Sequence, residues 1–456
     1  MASTTSVFRD VAPIVPSVPT LPGLPLLGNV LRFRRDRLAL HDDAALVGPI
    51  VRLQLLHVPV YVVTDADAMH EILVENATKF KKTAGIQFLE PLLGAGLLNA
   101  EGEVHKRHRK LLAPAFAPKR LAAYAETMID ETRTQIAAWK PNHQVDLSHE
   151  MMELTLAIAG KTMFGADVRR EAATVSSALE LAMRATVASI TSPMQLGYKW
   201  PLPRHLMMKR AVKMLDEIVF ELIAEGRKRG PNDRDRGDVL SALLLSQDEE
   251  GGLDDRQIRD EVMTLLLAGH ETTANALTWT WYHLGRNADA RVRLEEEVAR
   301  VLGDRTVTPD DLPNMPWTAA VIDEAMRLHP PAYVTGREST QAVTIGGHQF
   351  PARAIMLLNI RGLHRRGDYY PAPLAFRPER FLPEEKKARP RHHYLPFGAG
   401  PRVCIGQHFA LLEAQLCLAT MVQRARIHPI ASSVEPEPLI TLRPRGGLPA
   451  IVSPKQ

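Results

Sequence analysis

A single cysteine, Cys404, lies among residues that a metal-bound thiolate would need. It belongs to the decapeptide FGAGPRVCIG at positions 397–406. We expect Gly400 and Gly406 to bring the backbone close to a large flat ligand and to adopt conformations that a Cβ forbids. Arg402 offers a cation for carboxylates. Apolar residues over 407–424 predict a helix directly after the cysteine, and the positive end of such a helix favours thiolate over thiol.

A second group of polar residues lies inside the most apolar stretch of the chain. The pattern over residues 254–287 predicts a helix much longer than the average, one that crosses the molecule. Within it, Gly269, Glu271 and Thr272 place a flexible residue, a carboxylate and a hydroxyl in apolar surroundings. A threonine hydroxyl can bond back to a carbonyl one turn earlier. Taken alone, this motif is as consistent with a polar turn on an exposed face.

Two charged pairs complete the candidate chemistry. Glu324 and Arg327 are three residues apart and share one helix face. Their apolar neighbours indicate a partly buried ion pair that needs further partners, and Arg380 is a candidate third member. His105 and Arg109 are one turn apart and can both face an anion, although a basic, solvated helix face gives the same pattern.

The composition excludes several classes of protein. The chain has 456 residues, of which 45% are hydrophobic and 24% charged, so a large folded core is expected. A net charge of +4 does not imply a nucleic-acid partner. Two cysteines are too few for a disulfide framework, and Cys417 is expected to be a small core residue. We predict a cytoplasmic protein with no signal peptide and no membrane anchor.

Helical patterns predominate along the chain, between two β-rich regions. Residues 1–28 predict a proline-rich N-terminal arm, and residues 29–456 a single domain. Short β-branched runs at 50–55 and 59–63 predict a hairpin, and a further β-rich patch covers 343–358. The polar run 227–238 predicts an exposed loop. The fold class is mainly α with a smaller β region.

These motifs, in this order over nearly the whole chain, closely resemble the cytochrome P-450 superfamily of haem-thiolate monooxygenases, in particular its soluble bacterial-type members. The resemblance implies a single cytochrome P-450 fold whose long central helix crosses a haem b group. It implies that Cys404 is the axial ligand of the haem iron. The remaining cofactor-binding residues that it implies are His105, Arg109, Arg337, Phe397, Gly398 and Arg402. Many members carry tryptophan at the position of His105.

The resemblance also assigns roles to the other motifs. Glu324, Arg327 and Arg380 match the structural triad that braces the cysteine loop. Glu271 and Thr272 match the catalytic acid–alcohol pair that supplies protons during oxygen cleavage. The implied reaction inserts one oxygen atom from O2 into an apolar small molecule, by hydroxylation or epoxidation. Candidate substrate-pocket residues are Phe88, Leu267, Ala268, Ala332, Tyr333 and Val334.

We expect electrons to come from a separate ferredoxin or flavodoxin-type donor with its reductase. Basic residues near the cysteine side are candidates for docking an acidic donor, although they serve equally well as solubilising charge. These residues are Lys106, Arg107, Lys110, Arg391 and Arg402.

Two other hypotheses use the same haem. In the first, the protein is a peroxygenase or a hydroperoxide isomerase and needs no reductive activation of oxygen. The pair Glu271 and Thr272 argues against it, because such an enzyme has no need of a proton relay. In the second, the protein is a non-catalytic haem sensor, and the same pair argues against that role.

Overall fold

The computed structural model of the chain describes residues 14–15, 17–192, 200–229, 236–248 and 251–455. Residues 1–13 and 16 of the predicted arm lie outside the described residues, as do residues 230–235 of the predicted exposed loop. In the described part of the chain, no helix is both long enough and apolar enough to cross a membrane.

Helices make up most of the described fold. In chain order, they are α1 Val30–Arg35, α2 Arg37–Val47, α3 Ala66–His70, α4 Ala84–Gln87, α5 Glu90–Leu93, α6 Gly102–Leu112, α7 Pro118–Ala138, α8 Leu147–Phe164, α9 Ala172–Ile190, α10 Pro203–Lys228, α11 Val239–Leu245, α12 Asp255–Arg286, α13 Ala288–Leu302, α14 Pro316–Leu328, α15 Ile360–Leu363, α16 Pro383–Ala388 and α17 Gln407–Arg424.

The strands are short and fall mainly at the two ends of the chain. They are β1 Ile50–Leu55, β2 Val58–Val63, β3 Phe80–Lys82, β4 His143–Asp146, β5 Gln247–Asp248, β6 Gly251–Gly252, β7 Thr335–Ser339, β8 Val343–Ile345, β9 His348–Phe350, β10 Ile355–Leu358, β11 Ala425–Pro429, β12 Pro436–Pro438, β13 Leu442–Pro444 and β14 Pro449–Pro454.

The long helix α12 confirms the prediction from the apolar pattern. Its first turn is fixed by a capping box, in which Asp254 accepts from the backbone of Gln257 while the Gln257 side chain accepts from the backbone of Asp254. The helix runs for 32 residues and packs against α8, α10, α14 and α17. Apolar side chains on all its faces are buried because neighbouring helices surround it.

The largest sheet has five strands in the order β1-β2-β10-β7-β3. The predicted hairpin is confirmed, with β2 beginning at Val58, and β10 adds parallel to β2. Residues of the predicted arm continue the edge of this sheet: the amide of Leu21 donates to Arg52 O (2.9 Å), and the amide of Arg52 donates to Pro19 O (2.8 Å). The described part of the arm therefore pairs with the body of the protein.

The helix predicted after the cysteine is confirmed with the predicted bounds, as α17. Cys417 in this helix is fully buried, which confirms its prediction as a core residue. The packing of α17 against α7, α12 and α14 gives the cysteine loop a rigid base.

Candidate active site

The loop before α17 closes on itself around Cys404. The amide of Cys404 donates to Phe397 O (3.0 Å). Gly398 and Gly400 have φ angles of +70° and +69°, a conformation that favours glycine. A Cβ on Gly400 would lie 1.9 Å from the carbonyl oxygen of Leu73. The expectation of a forbidden conformation at Gly406 was wrong, because its φ is −87° and an added Cβ would meet nothing closer than 3.8 Å.

The thiol of Cys404 is accessible, but it lies in a recess where protein surrounds it closely. Burial raises the pKa of Cys404, while the Gly406 amide and the Arg109 guanidinium lower it. The predicted preference for thiolate is therefore wrong for the protein by itself, since desolvation outweighs the helix terminus. The thiolate requires a further positive partner.

Four cationic or basic side chains gather beside the cysteine loop, and we call them the cation cluster: Lys82, His105, Arg337 and Arg402. Arg402 pairs with Glu101 and donates to Ala100 O (2.6 Å). Arg337 donates to Gly336 O (2.9 Å) and Thr335 Oγ1 (3.1 Å), and the Lys82 ammonium donates to Leu98 O. These partners are neutral, apart from Glu101.

Burial and mutual repulsion disfavour the charged forms in this cluster, and Glu101 offsets them only in part. Burial, followed by the charge of Arg402, lowers the pKa of Lys82 to about 7 and that of Arg337 to about 10. The same two causes lower the pKa of His105 to about 4. Such a site favours an anion that supplies more than one negative charge. The sequence analysis missed Lys82, because nothing in its local sequence distinguishes it from a surface lysine.

Helix α6 joins the cysteine loop to α12. Arg109 donates to Val403 O (2.8 Å), next to the cysteine, so it contacts the loop backbone. The preceding residue His108 is buried, and its Nδ1 lies 2.6 Å from Glu261 Oε1 on α12. Neighbouring residues of one helix thus fix the position of the loop relative to α12.

The structure brings the three predicted triad residues together. Arg327 donates to Glu324 Oε2 (2.6 Å) and Oε1 (2.8 Å), and both side chains are fully buried. Arg380 Nε lies 3.5 Å from Glu324 Oε1. Arg327 also donates to His364 O and Pro373 O, at 2.7 Å each. The buried charges are therefore satisfied by chain segments that precede the cysteine loop.

On α12, three residues interrupt an otherwise buried stretch over residues 258–281: Ala268 is exposed, and Gly269 and Thr272 are half-buried. The helix stays α-helical through Gly269. The Thr272 hydroxyl donates to Ala268 O (2.7 Å), as predicted from the helical spacing. This group presents small side chains and one hydroxyl at the middle of the longest helix.

Glu271 is fully buried beside these residues. The hydroxyl of Thr441, which lies between β12 and β13, donates to Glu271 Oε1. Glu271 Oε2 has no hydrogen-bond partner among the described residues. Burial raises the pKa of Glu271 to about 7, and the bond from Thr441 and the charge of Arg443 lower it only in part. Glu271 can therefore hold or release a proton near neutral pH.

His270, which the sequence analysis did not assign as a ligand, is engaged elsewhere. Its Nδ1 donates to Leu266 O (2.7 Å), and its carbonyl accepts from Thr155 on α8 (3.0 Å).

The predicted pocket residues fall into two groups. Ala268 and Ala332 are exposed, and Phe88 and Val334 are half-buried. Leu267 and Tyr333 are buried in the core, at 5% and 3% exposure. The hydroxyl of Tyr333 donates to Leu439 O (3.0 Å), so this side chain is held by protein.

Comparisons with known proteins show the family to which this fold belongs. The sequence profile of the cytochrome P-450 family matches residues 16–448. The chain is 37% identical to cyclooctatin synthase of Streptomyces melanosporofaciens over 422 residues, 91% of each chain. It is 33% identical to cyclooctat-9-en-7-ol 5-monooxygenase of the same organism, over 94% of each chain. It is 30% identical to pentalenene oxygenase of Streptomyces avermitilis, over 90% of each chain.

The chain therefore belongs to the cytochrome P-450 family. It is a monooxygenase with a mainly helical fold, and its family implies a haem-iron cofactor. The resemblance found in the sequence is thereby confirmed for the family, the fold and the class of enzyme.

Proposed function

We propose that residues 29–456 form one catalytic domain that binds haem b, with Cys404 as the axial iron ligand. The observation that carries this proposal is the position of an accessible cysteine beside the cation cluster. Haem b has two propionate carboxylates, and the cluster offers four basic side chains with Glu101 as an acidic partner, so a further anion would favour their charged forms. Lys82, His105, Arg337 and Arg402 would hold the propionates. Arg109, Phe397 and Gly398 would hold the loop.

The chemistry of the thiolate follows from its surroundings. Cys404 would bind haem iron as a thiolate, since a metal deprotonates a coordinating thiol and would offset the effect of burial. A bound thiolate-ligated haem would supply oxygen activation, because the thiolate favours O–O cleavage. The triad of Glu324, Arg327 and Arg380 contributes rigidity to the loop and does not touch the reacting atoms.

On the α12 side, Thr272 and Glu271 supply protons. The Thr272 hydroxyl now donates to Ala268 O and would turn toward the cavity to offer a proton there. Glu271 holds a proton near neutral pH, and a carboxyl group with such a pKa is suited to general acid catalysis. Ala268 leaves space for a substrate, because it is exposed, its methyl group is small and the adjacent Gly269 has no side chain.

We propose a cyclic terpene hydrocarbon, or an alcohol derived from one, as the substrate. One relative is named for an unsaturated alcohol, cyclooctat-9-en-7-ol, and another for an alkene, pentalenene. The candidate pocket residues Phe88, Ala268, Ala332 and Val334 are apolar and chiefly small, which suits a ligand without charge. Either hydroxylation or epoxidation fits such a substrate.

Electrons would come from a separate, acidic ferredoxin or flavodoxin-type donor. Lys106 and Lys110 are exposed on the outer face of α6, while Arg109 of the same helix contacts the backbone beside Cys404. This face therefore lies one helix away from the cysteine loop. Arg391 is also exposed, whereas Arg402 is engaged in the cation cluster and does not belong to the docking surface.

Charge reversal tests this docking surface. We expect the double variant Lys106→Glu and Lys110→Glu to lower turnover about tenfold at low salt, with haem content unchanged. Arg133→Glu with Lys140→Glu is the control, because both side chains are exposed and neither belongs to the docking surface or lines the groove beside Asp216. Equal turnover in both double variants, or turnover that does not depend on salt, would contradict docking at α6.

The haem proposal is tested by the spectrum of the reduced carbon-monoxide complex. We expect the red-shifted Soret band of thiolate ligation in the native protein, and its loss in Cys404→Ala. Cys417→Ala is the control, because Cys417 is buried in α17 and should leave the band intact. A band that survives in Cys404→Ala would remove Cys404 as the ligand. Dependence on a reduced carrier, with little activity from peroxide alone, separates the monooxygenase from a peroxygenase.

A further inference from the structure

Residues 88–101 contact both α12 and the cysteine loop, and we call this stretch of chain the wall segment. Near its middle, a Cβ on Gly96 would lie 2.2 Å from Thr264 Oγ1, so the backbone touches α12 there. Thr264 precedes Ala268 by about one turn and shares its helix face. At its end, Ala100 O accepts from the cysteine loop (2.6 Å). The wall segment thus bounds the space between Ala268 and the cysteine loop.

Two adjacent charged residues of α12 hold the wall segment. Arg259 Nη1 donates to Leu92 O (2.7 Å) and to Asp260 Oδ1 (2.9 Å). The other oxygen, Asp260 Oδ2, accepts from the amide of Ala95 (2.9 Å). Both charged side chains are 7% exposed. Gly94 has a φ of +50°, and a Cβ there would lie 1.9 Å from Asp260 Oδ2, so the segment fits closely around the carboxylate.

The third member of this network comes from α10. Arg259 Nε donates to Asp216 Oδ1 (2.7 Å), and Asp216 is 31% exposed, far more than Arg259 and Asp260. A groove of about 470 Å³ is lined by α10 and by Pro91 of the wall segment at this place, and Phe220 lies along it. Helix α10 also packs against α5 of the wall segment, and Arg259 adds a charged connection between the two by bonding to Asp216 and to Leu92 O.

We propose that Arg259 is a positioning residue that latches the wall segment closed, and that loss of its contact with Asp216 opens the segment to admit substrate. Asp216 is the member that water reaches, so its bond is the one that breaks most readily when α10 moves outward. Arg259 then lacks one of its two carboxylate partners, which weakens its hold on Leu92 O. The location of the substrate space rests on the function proposed above.

Two variants weaken the latch without removing a buried charge. Asp216→Asn abolishes the negative charge at the exposed end of the latch. Arg259→Lys keeps the charge, but a lysine cannot make the same forked contacts. The matched control is Asp255→Asn, because Asp255 pairs with Arg227 and also joins α12 to α10, with both side chains about half exposed (59% and 48%).

Hydrogen–deuterium exchange of the haem-bound protein measures opening directly. In Asp216→Asn we expect the amide of Ala95 and its neighbours to exchange about fivefold faster than in the native protein. Asp255→Asn should leave this exchange unchanged. Native-like exchange in Asp216→Asn would overturn the proposal, and so would an equal increase in the control, since that would indicate general loosening of the helices.

The rates of ligand entry and exit test the consequence for the pocket. With phenylimidazole as the probe, stopped-flow absorbance should show association and dissociation rates that both rise about fivefold in Asp216→Asn, so that the Kd stays nearly constant. A merely structural effect would change the Kd instead. Faster amide hydrogen exchange in Asp216→Asn, with unchanged rates of phenylimidazole entry and exit, would show that the latch does not control the admission of substrate. Because exchange does not depend on Cys404 ligation, a failure of the haem proposal remains distinguishable from a failure of the latch.

Discussion

The two sides of the candidate site are built in different ways. On the cysteine side, Cys404 and its loop lie within ten residues of sequence, and the bond from Cys404 N to Phe397 O closes the loop locally before α6 and the cation cluster contact it. On the α12 side, Glu271 is held by Thr441, 170 residues further along the chain. The wall segment is held by Asp260, 165 residues from Ala95. The loop conformation on the first side is set by a local motif, whereas the second side is assembled from distant segments.

This difference indicates what each side can do. We propose that the buried Glu324 and Arg327 pair braces the cysteine loop through the segments that precede it, and the loop conformation depends on glycines at fixed positions. Rigid positioning suits a residue that must hold a metal. On the α12 side, Glu271 changes its protonation near neutral pH and the latch ends in a partly exposed aspartate. That side is suited to moving protons and admitting ligands.

The largest expected effect comes from breaking the brace of the cysteine side. Arg327→Ala leaves Glu324 buried without its main partner, which should cost about 3–5 kcal/mol of folding free energy. Haem content and the urea midpoint should both fall. Lys386→Ala is the control: Lys386 lies on α16 and pairs with Asp323 of α14, and because the lysine side chain is 56% exposed its loss should cost about 1 kcal/mol or less. Equal losses in the two variants would contradict a special role of the brace.

A substitution on the α12 side is expected to change stability less than the loss of Arg327, but to change product formation strongly. Thr272→Ala should keep haem and substrate binding but divert reducing equivalents to peroxide, lowering product per electron pair on the order of tenfold. Thr280→Ala is the matched control, because the Thr280 hydroxyl makes the same bond to a carbonyl one turn earlier (2.7 Å) in the same helix. Tight coupling in Thr272→Ala would remove Thr272 from the proton relay. Recovery in Thr272→Ser would show that the hydroxyl is the active group.

The contrast between local motifs and contacts of distant segments explains which features could be predicted from the sequence. Local patterns predicted α12, α17 and the β1–β2 hairpin, because periodicity and capping residues lie within each element. They also placed Glu324 beside Arg327, whose contact needs only helical spacing. Lys82, Thr441 and Asp260 were missed, since their roles depend on partners brought close by the whole fold. The thiolate expectation for Cys404 failed for a related reason: burial comes from surrounding segments that a local motif does not contain.

The last expected effect is a pH dependence confined to the α12 side, and it leaves the fold intact. Burial raises the pKa of Glu271 from an ordinary 4.5 to about 7. Below pH 4.5 the carboxyl is protonated in the folded and unfolded chains alike. Between these values the folded protein holds a proton that the unfolded chain has released, so the free energy of unfolding falls as pH rises, by on the order of 3 kcal/mol. Above the folded pKa this decline ends.

Glu271→Gln should remove this contribution, because glutamine does not ionise. The variant should therefore gain stability relative to the native protein as pH rises through this range. Urea unfolding at the lowest and highest pH of the range measures this gain. Glu103→Gln, which changes a fully solvated carboxylate on α6, is the control and should follow the native protein. Thr441→Val sharpens the test: it removes the hydroxyl that lowers the pKa of Glu271, so the decline should extend to higher pH. If Glu271→Gln and the native protein instead have the same pH dependence, Glu271 does not hold a proton in the folded state, and the α12 side loses its proposed proton source.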